Sequence, residues 1–166
     1  LSGGALHRRG YREETVSAPM QETVAAGIIR MTGWNGKTAL YDPMCGSGTL
    51  LCEALMRYCR IPAGIFRKRF GFEFLPDFDP TIWEKVKAAA DEKIRKLPAG
   101  LIRGSDRDEN AVHAARTNLM GIQFGNRVDI RQADFNDLAG LEGQTIVTNP
   151  PYGIRMGADS NMEGLY

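Results

Sequence analysis

The sequence is poor in the residues that build metal centres and disulfide frameworks. It holds three cysteines, Cys45, Cys52 and Cys59, without a CxxC pair, and two histidines, His7 and His113. Zinc sites need clustered Cys and His at short spacings, so no metal is expected. An odd cysteine count without a disulfide pattern suits a reducing compartment, and the cytoplasm is the expected location. No apolar run reaches the roughly 20 residues of a membrane span, and no secretory signal peptide is expected. Excess charge of one sign is missing too, the formal net charge being +1. Any nucleic-acid footprint must therefore be local. Two basic clusters qualify, His7-Arg8-Arg9 with Arg12, and Arg67-Lys68-Arg69. The second reads equally as solvated loop charge or as phosphate contact. Repeats and low-complexity tracts are lacking, and 166 residues with 43% hydrophobic content suit one domain with a buried core.

What is present is an alternation of strands and helices. Residues 19–31 carry Val24, Ile28 and Met31 at helical spacing, with Pro19 suited to a first turn. A short strand at 39–41 runs into Asp42. A helix at 49–58 follows, with Leu51, Leu55 and Tyr58 on one side and Cys52 and Cys59 sharing an apolar face. Residues 61–79 are irregular and rich in phenylalanine, and 80–97 reads as an amphipathic helix. A second strand at 101–105 ends at Asp106, and Asp108 is placed to cap a helix running to Met120. Strands at 127–131 and 145–148 lead into Asp134 and Asn149. The pattern predicts an α/β fold with a doubly wound, mostly parallel sheet. In such a sheet ligands bind beyond the carboxyl ends of the strands. Asp42, Asp106, Asp134 and Asn149 each follow a strand, so all four should line that edge.

Asp42-Pro43-Met44-Cys45-Gly46-Ser47-Gly48-Thr49 is a strand–loop–helix junction. Glycine lets backbone turn sharply and approach a ligand, and the helix start offers free N–H groups. The P-loop lysine is absent, and Leu51 stands where a dinucleotide fingerprint needs its third glycine. Neither nucleotide hydrolysis nor a standard dinucleotide site fits. We therefore read Asp42, Met44, Cys45, Gly46, Gly48 and Thr49 as a cofactor loop of another kind. An acid ending the second strand would accept from ribose hydroxyls. Asp106, with Arg107 beside it, is preferred to Glu73, because Asp106 ends a strand and precedes a helix. That choice makes residues of about 60–98 an insertion. Asp134 would take the adenine amino group with Phe135 against the ring, or would simply cap the short segment after it.

Asn149-Pro150-Pro151-Tyr152 is the most specific signal. Two prolines fix two φ angles and remove two donors, aiming carbonyl groups outward. The lone pair of an exocyclic amine is delocalised into its base and is weakly nucleophilic. If the Asn149 side-chain oxygen and the Pro150 carbonyl accept its two N–H bonds, the nitrogen can pyramidalise toward a sulfonium methyl. Tyr152 offers a ring for the flipped base, a contact worth about 1–3 kcal/mol.

Together, Leu6-His7-Arg8-Arg9-Gly10-Tyr11-Arg12, Ala18-Pro19-Met20-Gln21-Glu22-Thr23, the 42–49 loop and Asn149-Pro150-Pro151-Tyr152-Gly153 resemble the THUMP-associated RNA guanine-N2-methyltransferases. The resemblance implies a Rossmann-like class I domain, S-adenosylmethionine as cofactor, and guanine N2 in ribosomal or transfer RNA as acceptor. It also implies that Ala18-Pro19 lies near the methionine end of the cofactor. On this reading residues 1–17 are a linker or remnant and 18–166 the methyltransferase domain. The family's upstream THUMP-type RNA-binding domain and its strands beyond the NPPY motif are missing from the 166 residues, so a truncated, inactive fragment is expected. Asn-Pro-Pro-Tyr suits any planar amide-like nitrogen, which leaves DNA adenine or protein glutamine as alternative acceptors. A non-catalytic RNA-binding module with a vestigial pocket is the alternative from another class.

Overall fold

The computed structural model describes residues 7–14 and 20–151. Pro19 and Tyr152, both expected in the site, lie outside the described residues. The elements are α1 (Glu22–Met31), β1 (Leu40–Asp42), α2 (Thr49–Cys59), α3 (Pro80–Asp91), β2 (Ile102–Asp106), α4 (Glu109–Met120), β3 (Asp129–Gln132) and β4 (Thr145–Ile146). The four strands form one sheet in the order β3-β2-β1-β4, and every neighbouring pair is parallel. The fold is α/β, as expected. The chain steps outward from β1 to β3 and then crosses back to the other side of β1. In sheets of this kind ligands bind where the order reverses, which is here the carboxyl ends of β1 and β4.

The core forms where α2 lies on the sheet. Leu51, Leu55, Cys52 and Cys59 are fully buried, each leucine worth about 1.5–3 kcal/mol of burial. Gly104 of β2 shows how close the packing is: a Cβ there would stand 2.6 Å from Leu51 Cδ1. On β3 only Ile130 is buried, while Asp129 and Arg131 are exposed. This edge strand is covered on one face only, whereas all three residues of β1 are buried. Between β3 and β4 there is only a 3-10 turn, Phe135–Asp137. Among the described residues, no helix is long and apolar enough to cross a membrane.

Several expectations need correction. On α1 the buried stripe is Glu22, Ala25 and Ile29, whereas Val24 is half exposed and Met31 almost fully exposed. Both stripes have helical spacing; packing on α2, with Glu22 3.7 Å from Arg12, selects the second. α3 is capped by Asp79, which accepts from Thr81 and Ile82, but it stops at Asp91 rather than continuing to 97. Leu97 is fully buried, and an exposed helix could not carry it into the core. Strand β4 covers two residues rather than four.

Within the upstream segment, residues 9–14 are tied to the rest of the fold. Tyr11 is buried in the core and donates to Glu53 Oε1 at 3.2 Å, while Arg9 reaches both Glu53 oxygens at 3.3 and 3.4 Å. Arg9 and Arg12 are therefore spent on internal partners and not on an open basic patch. Burial pushes the Glu53 carboxyl above its usual range, with Arg9 opposing that shift. Removing one partner of such a buried pair typically costs about 3–5 kcal/mol.

Candidate functional site

Parallel pairing brings the four strand ends to one edge. Asp42 ends β1, Asp106 ends β2, Asp134 follows β3, and Asn149 follows β4. Ladder bonds extend into the loops beyond them: Cys45 N–H donates to the Ser105 carbonyl at 2.9 Å, Ala133 to Asp106 at 3.0 Å, and Val147 to Tyr41 at 3.0 Å. Past Val147, Pro150 and Pro151 have no N–H to continue the ladder. Asn149, Pro150 and Pro151 are all half-buried there.

The glycine loop is held by the acids that end β1 and β2. Gly46 N–H donates to Asp106 Oδ2 at 2.8 Å, and Met44 N–H to Asp42 Oδ1 at 3.2 Å. Gly46 and Gly48 have φ of 53° and 79°, the left-handed region that glycine adopts without strain. At Gly48 closeness adds a second requirement, since a Cβ would lie 3.0 Å from Ala115 Cβ.

The two acids differ in kind. Asp42 is 1% exposed and sits beneath the loop rather than on its open side. Burial lifts its carboxyl to about 7; the Thr148 hydroxyl and the Met44 N–H pull it down, and the Asp106 charge raises it further. Asp106 is half-buried, its other oxygen taking the Asp108 N–H at 3.0 Å. Each of its oxygens thus holds one N–H and keeps acceptor capacity for a second donor. A vicinal diol is the group that matches two such positions. Glu73, the competitor, turns back on its own loop and accepts from Phe70 N–H at 2.9 Å.

Other expected residues divide similarly. Asp134 Oδ1 accepts from both the N–H and the Nδ2 of Asn136, at 2.9 and 3.0 Å, so it caps the 3-10 turn, and among the described residues none donates to Oδ2. Phe135 is exposed beside it. Cys45 and Thr49 are buried, Thr49 Oγ1 accepting from Arg12 at 3.0 Å, so their side chains serve the loop's interior. Arg107 is exposed at the edge. Burial raises all three thiols, Cys59 to about 11. Among the described residues no group of His, Cys, Asp and Glu could hold a metal.

Sequence reasoning missed Arg12 and Asn118, both of which contact the loop. Asn118 is 1% exposed, and its Nδ2 donates to the Ser47 carbonyl at 3.0 Å. The available signal was its position three residues past Ala115, on the apolar face of α4 where an amide needs partners.

Comparisons with known proteins show the family and the fold. Residues 9–166 match the family described as RMKL-like, methyltransferase domain. Ribosomal RNA large subunit methyltransferase K/L of Vibrio campbellii is 40% identical over 173 residues, covering 100% of this chain and 24% of that protein. The crystal structure of SMU.472, assigned as a methyltransferase and complexed with SAH, superposes with a TM-score of 0.85 at 33% identity, covering 99% of this chain and 42% of that one. A predicted N6-adenine-specific DNA methylase from Listeria monocytogenes gives a TM-score of 0.83 at 32% identity, again covering 99% and 42%. The chain thus spans about a quarter of that curated relative and about two-fifths of those solved chains.

Proposed function

The chain belongs to the RMKL-like methyltransferase domain family, and from that premise we propose that it binds S-adenosylmethionine at the β1–β2 edge and methylates N2 of guanine in RNA, ribosomal RNA first. The observation that carries this is the glycine loop pinned to Asp106, one strand away from Asn149-Pro150-Pro151 at the end of β4. SAH, the ligand of the solved relative, is the demethylated product of that cofactor.

Bound S-adenosylmethionine would supply an electrophilic methyl on a sulfonium sulfur. The chain's residues then do the positioning. Asp106 would take the ribose hydroxyls on its two open acceptor positions, and Asp134 Oδ2 the adenine amino group beside Phe135. The N–H groups at the start of α2 would face the loop's ligand. Asn149 and Pro150 would accept the two amino N–H bonds, localising the lone pair on nitrogen. Tyr152, outside the described residues, would stack on the base. Catalysis of this kind consists of proximity and fixed dipoles, with no covalent enzyme intermediate. The domain in this proposal includes residues 9–14, whose Tyr11 packs into the core, and an upstream THUMP-type segment would deliver the RNA.

A second reading, methylation of adenine N6 in DNA, is favoured by the description of the Listeria relative. Incubation of the full-length protein that carries this domain with methyl-labelled cofactor and separate RNA, DNA and protein pools distinguishes the two. We expect label in RNA, recovered as N2-methylguanosine on nucleoside digestion. Label recovered as N6-methyladenine in DNA refutes the guanine assignment.

A further inference from the structure

We propose that Arg12 and Asn118 are positioning residues: they clamp the glycine loop through a strap formed by residues 9–14, a role that rests on the cofactor site proposed above. Asn118 uses its whole hydrogen-bonding capacity for this. Its Oδ1 accepts from the N–H groups of Glu13 and Glu14 at 2.8 and 3.0 Å. Its Nδ2 donates to the carbonyls of Glu14 and Ser47 at 2.9 and 3.0 Å. One buried amide thus joins the strap, α4 and the loop.

Arg12 makes the second link. Its Nη2 donates to the Met20 carbonyl at 2.7 Å and to Thr49 Oγ1 at 3.0 Å, and lies 3.7 Å from Glu22 Oε1. The start of α1 is thereby tied to the first residue of α2. The two links grip the loop on either side of Gly48, at the Ser47 carbonyl and at the Thr49 hydroxyl. Gly48 itself rests on Ala115, three residues before Asn118 on the same helix.

The placement has a physical purpose. A loop with two glycines in the left-handed region has many alternatives open to it. Ordering it only when ligand arrives would be taken out of the binding free energy. Held beforehand, its N–H groups are already aimed. Neither Arg12 nor Asn118 need touch the ligand; each acts through Ser47 or Thr49. An apolar residue of similar volume at 118 would fill the space yet release the Ser47 carbonyl and both strap N–H groups.

The test is calorimetric titration of the chain with S-adenosylhomocysteine, for wild type, Asn118→Leu and Arg12→Lys. Thermal melting and amide deuterium exchange accompany each titration. We expect Kd to rise about tenfold in each variant, the scale of one uncompensated hydrogen bond at the loop. Exchange should quicken at residues 46–49 while that of β1 and β2 stays unchanged. A lowered melting temperature with unchanged Kd and unchanged loop exchange overturns the proposal, because the contacts would then be structural only. Should Asn118→Leu fail to fold, Arg12→Lys decides alone. Wild type that binds no S-adenosylhomocysteine overturns the cofactor reading itself, whereas normal binding in wild type and both variants overturns only the clamp.

Discussion

Replacing Asp42 with asparagine should stabilise the protein at alkaline pH and do little at acid pH. The carboxyl is 1% exposed and lifted from 3.8 to about 7, chiefly by burial. Its folded-state value thus lies above its unfolded value, so the native state keeps a proton that the unfolded chain releases. Stability must then fall as pH rises through the window from about 4 to about 7. The difference between 3.8 and about 7 corresponds to at most about 4 kcal/mol, fully expressed only above that window. An asparagine side chain has nearly the same shape and no charge to desolvate. Its amide oxygen can still accept from Met44 N–H. Urea unfolding of wild type and Asp42→Asn at pH 5, 6, 7 and 8 measures the effect as a difference, in which groups common to both cancel. The stability of the Asp42→Asn variant relative to wild type should grow steadily across the series, reaching a few kcal/mol at pH 8. A difference that is flat, or that shrinks with rising pH, would refute the assignment of a buried, destabilised carboxylate beneath the loop.

In the full-length protein, Asn149→Ala should reduce methyl transfer by at least about a hundredfold, as loss of an oriented transition-state hydrogen bond does, with cofactor affinity nearly unchanged. Parallel turnover and titration measurements check this, and a matching fall in both would remove Asn149 from the acceptor site. Gly48→Ala should lower the melting temperature, because it combines a φ of 79° with a Cβ 3.0 Å from Ala115; about 1–2 kcal/mol comes from the backbone alone, and a melt equal to wild type contradicts that geometry. Cys45, Cys52 and Cys59 are all buried with raised thiol pKa values. A thiol reagent should therefore label them only on unfolding, and rapid native-state labelling at pH 7.5 would show that the packing around α2 is looser than described.

Local sequence pattern was enough for the layer plan and for which polar residues end its strands. Alternating apolar strands and amphipathic helices are local patterns, and short polar punctuation after each strand survives as a list of edge residues once the strands are parallel. Asp106 could be chosen over Glu73 without a structure, because a strand before it and a capped helix after it are both legible locally. Roles within the edge were not legible in that way. Asp42 and Asp106 look alike in sequence, yet one is buried under the loop and the other keeps open acceptors, since burial depends on what α2 and β2 place around each. The stripe on α1 was ambiguous for the same reason: two helical spacings fit, and only Arg12 facing Glu22 together with packing on α2 chose between them. The strap of residues 9–14 had no periodicity to reveal it. Its contacts join positions more than a hundred residues apart, Glu13 and Glu14 to Asn118, and no local pattern encodes a partner at that separation. Periodicity therefore set which elements form and which polar residues meet at the sheet edge. Tertiary packing decided which of those residues lie open to a ligand and which are used to hold the loop in place.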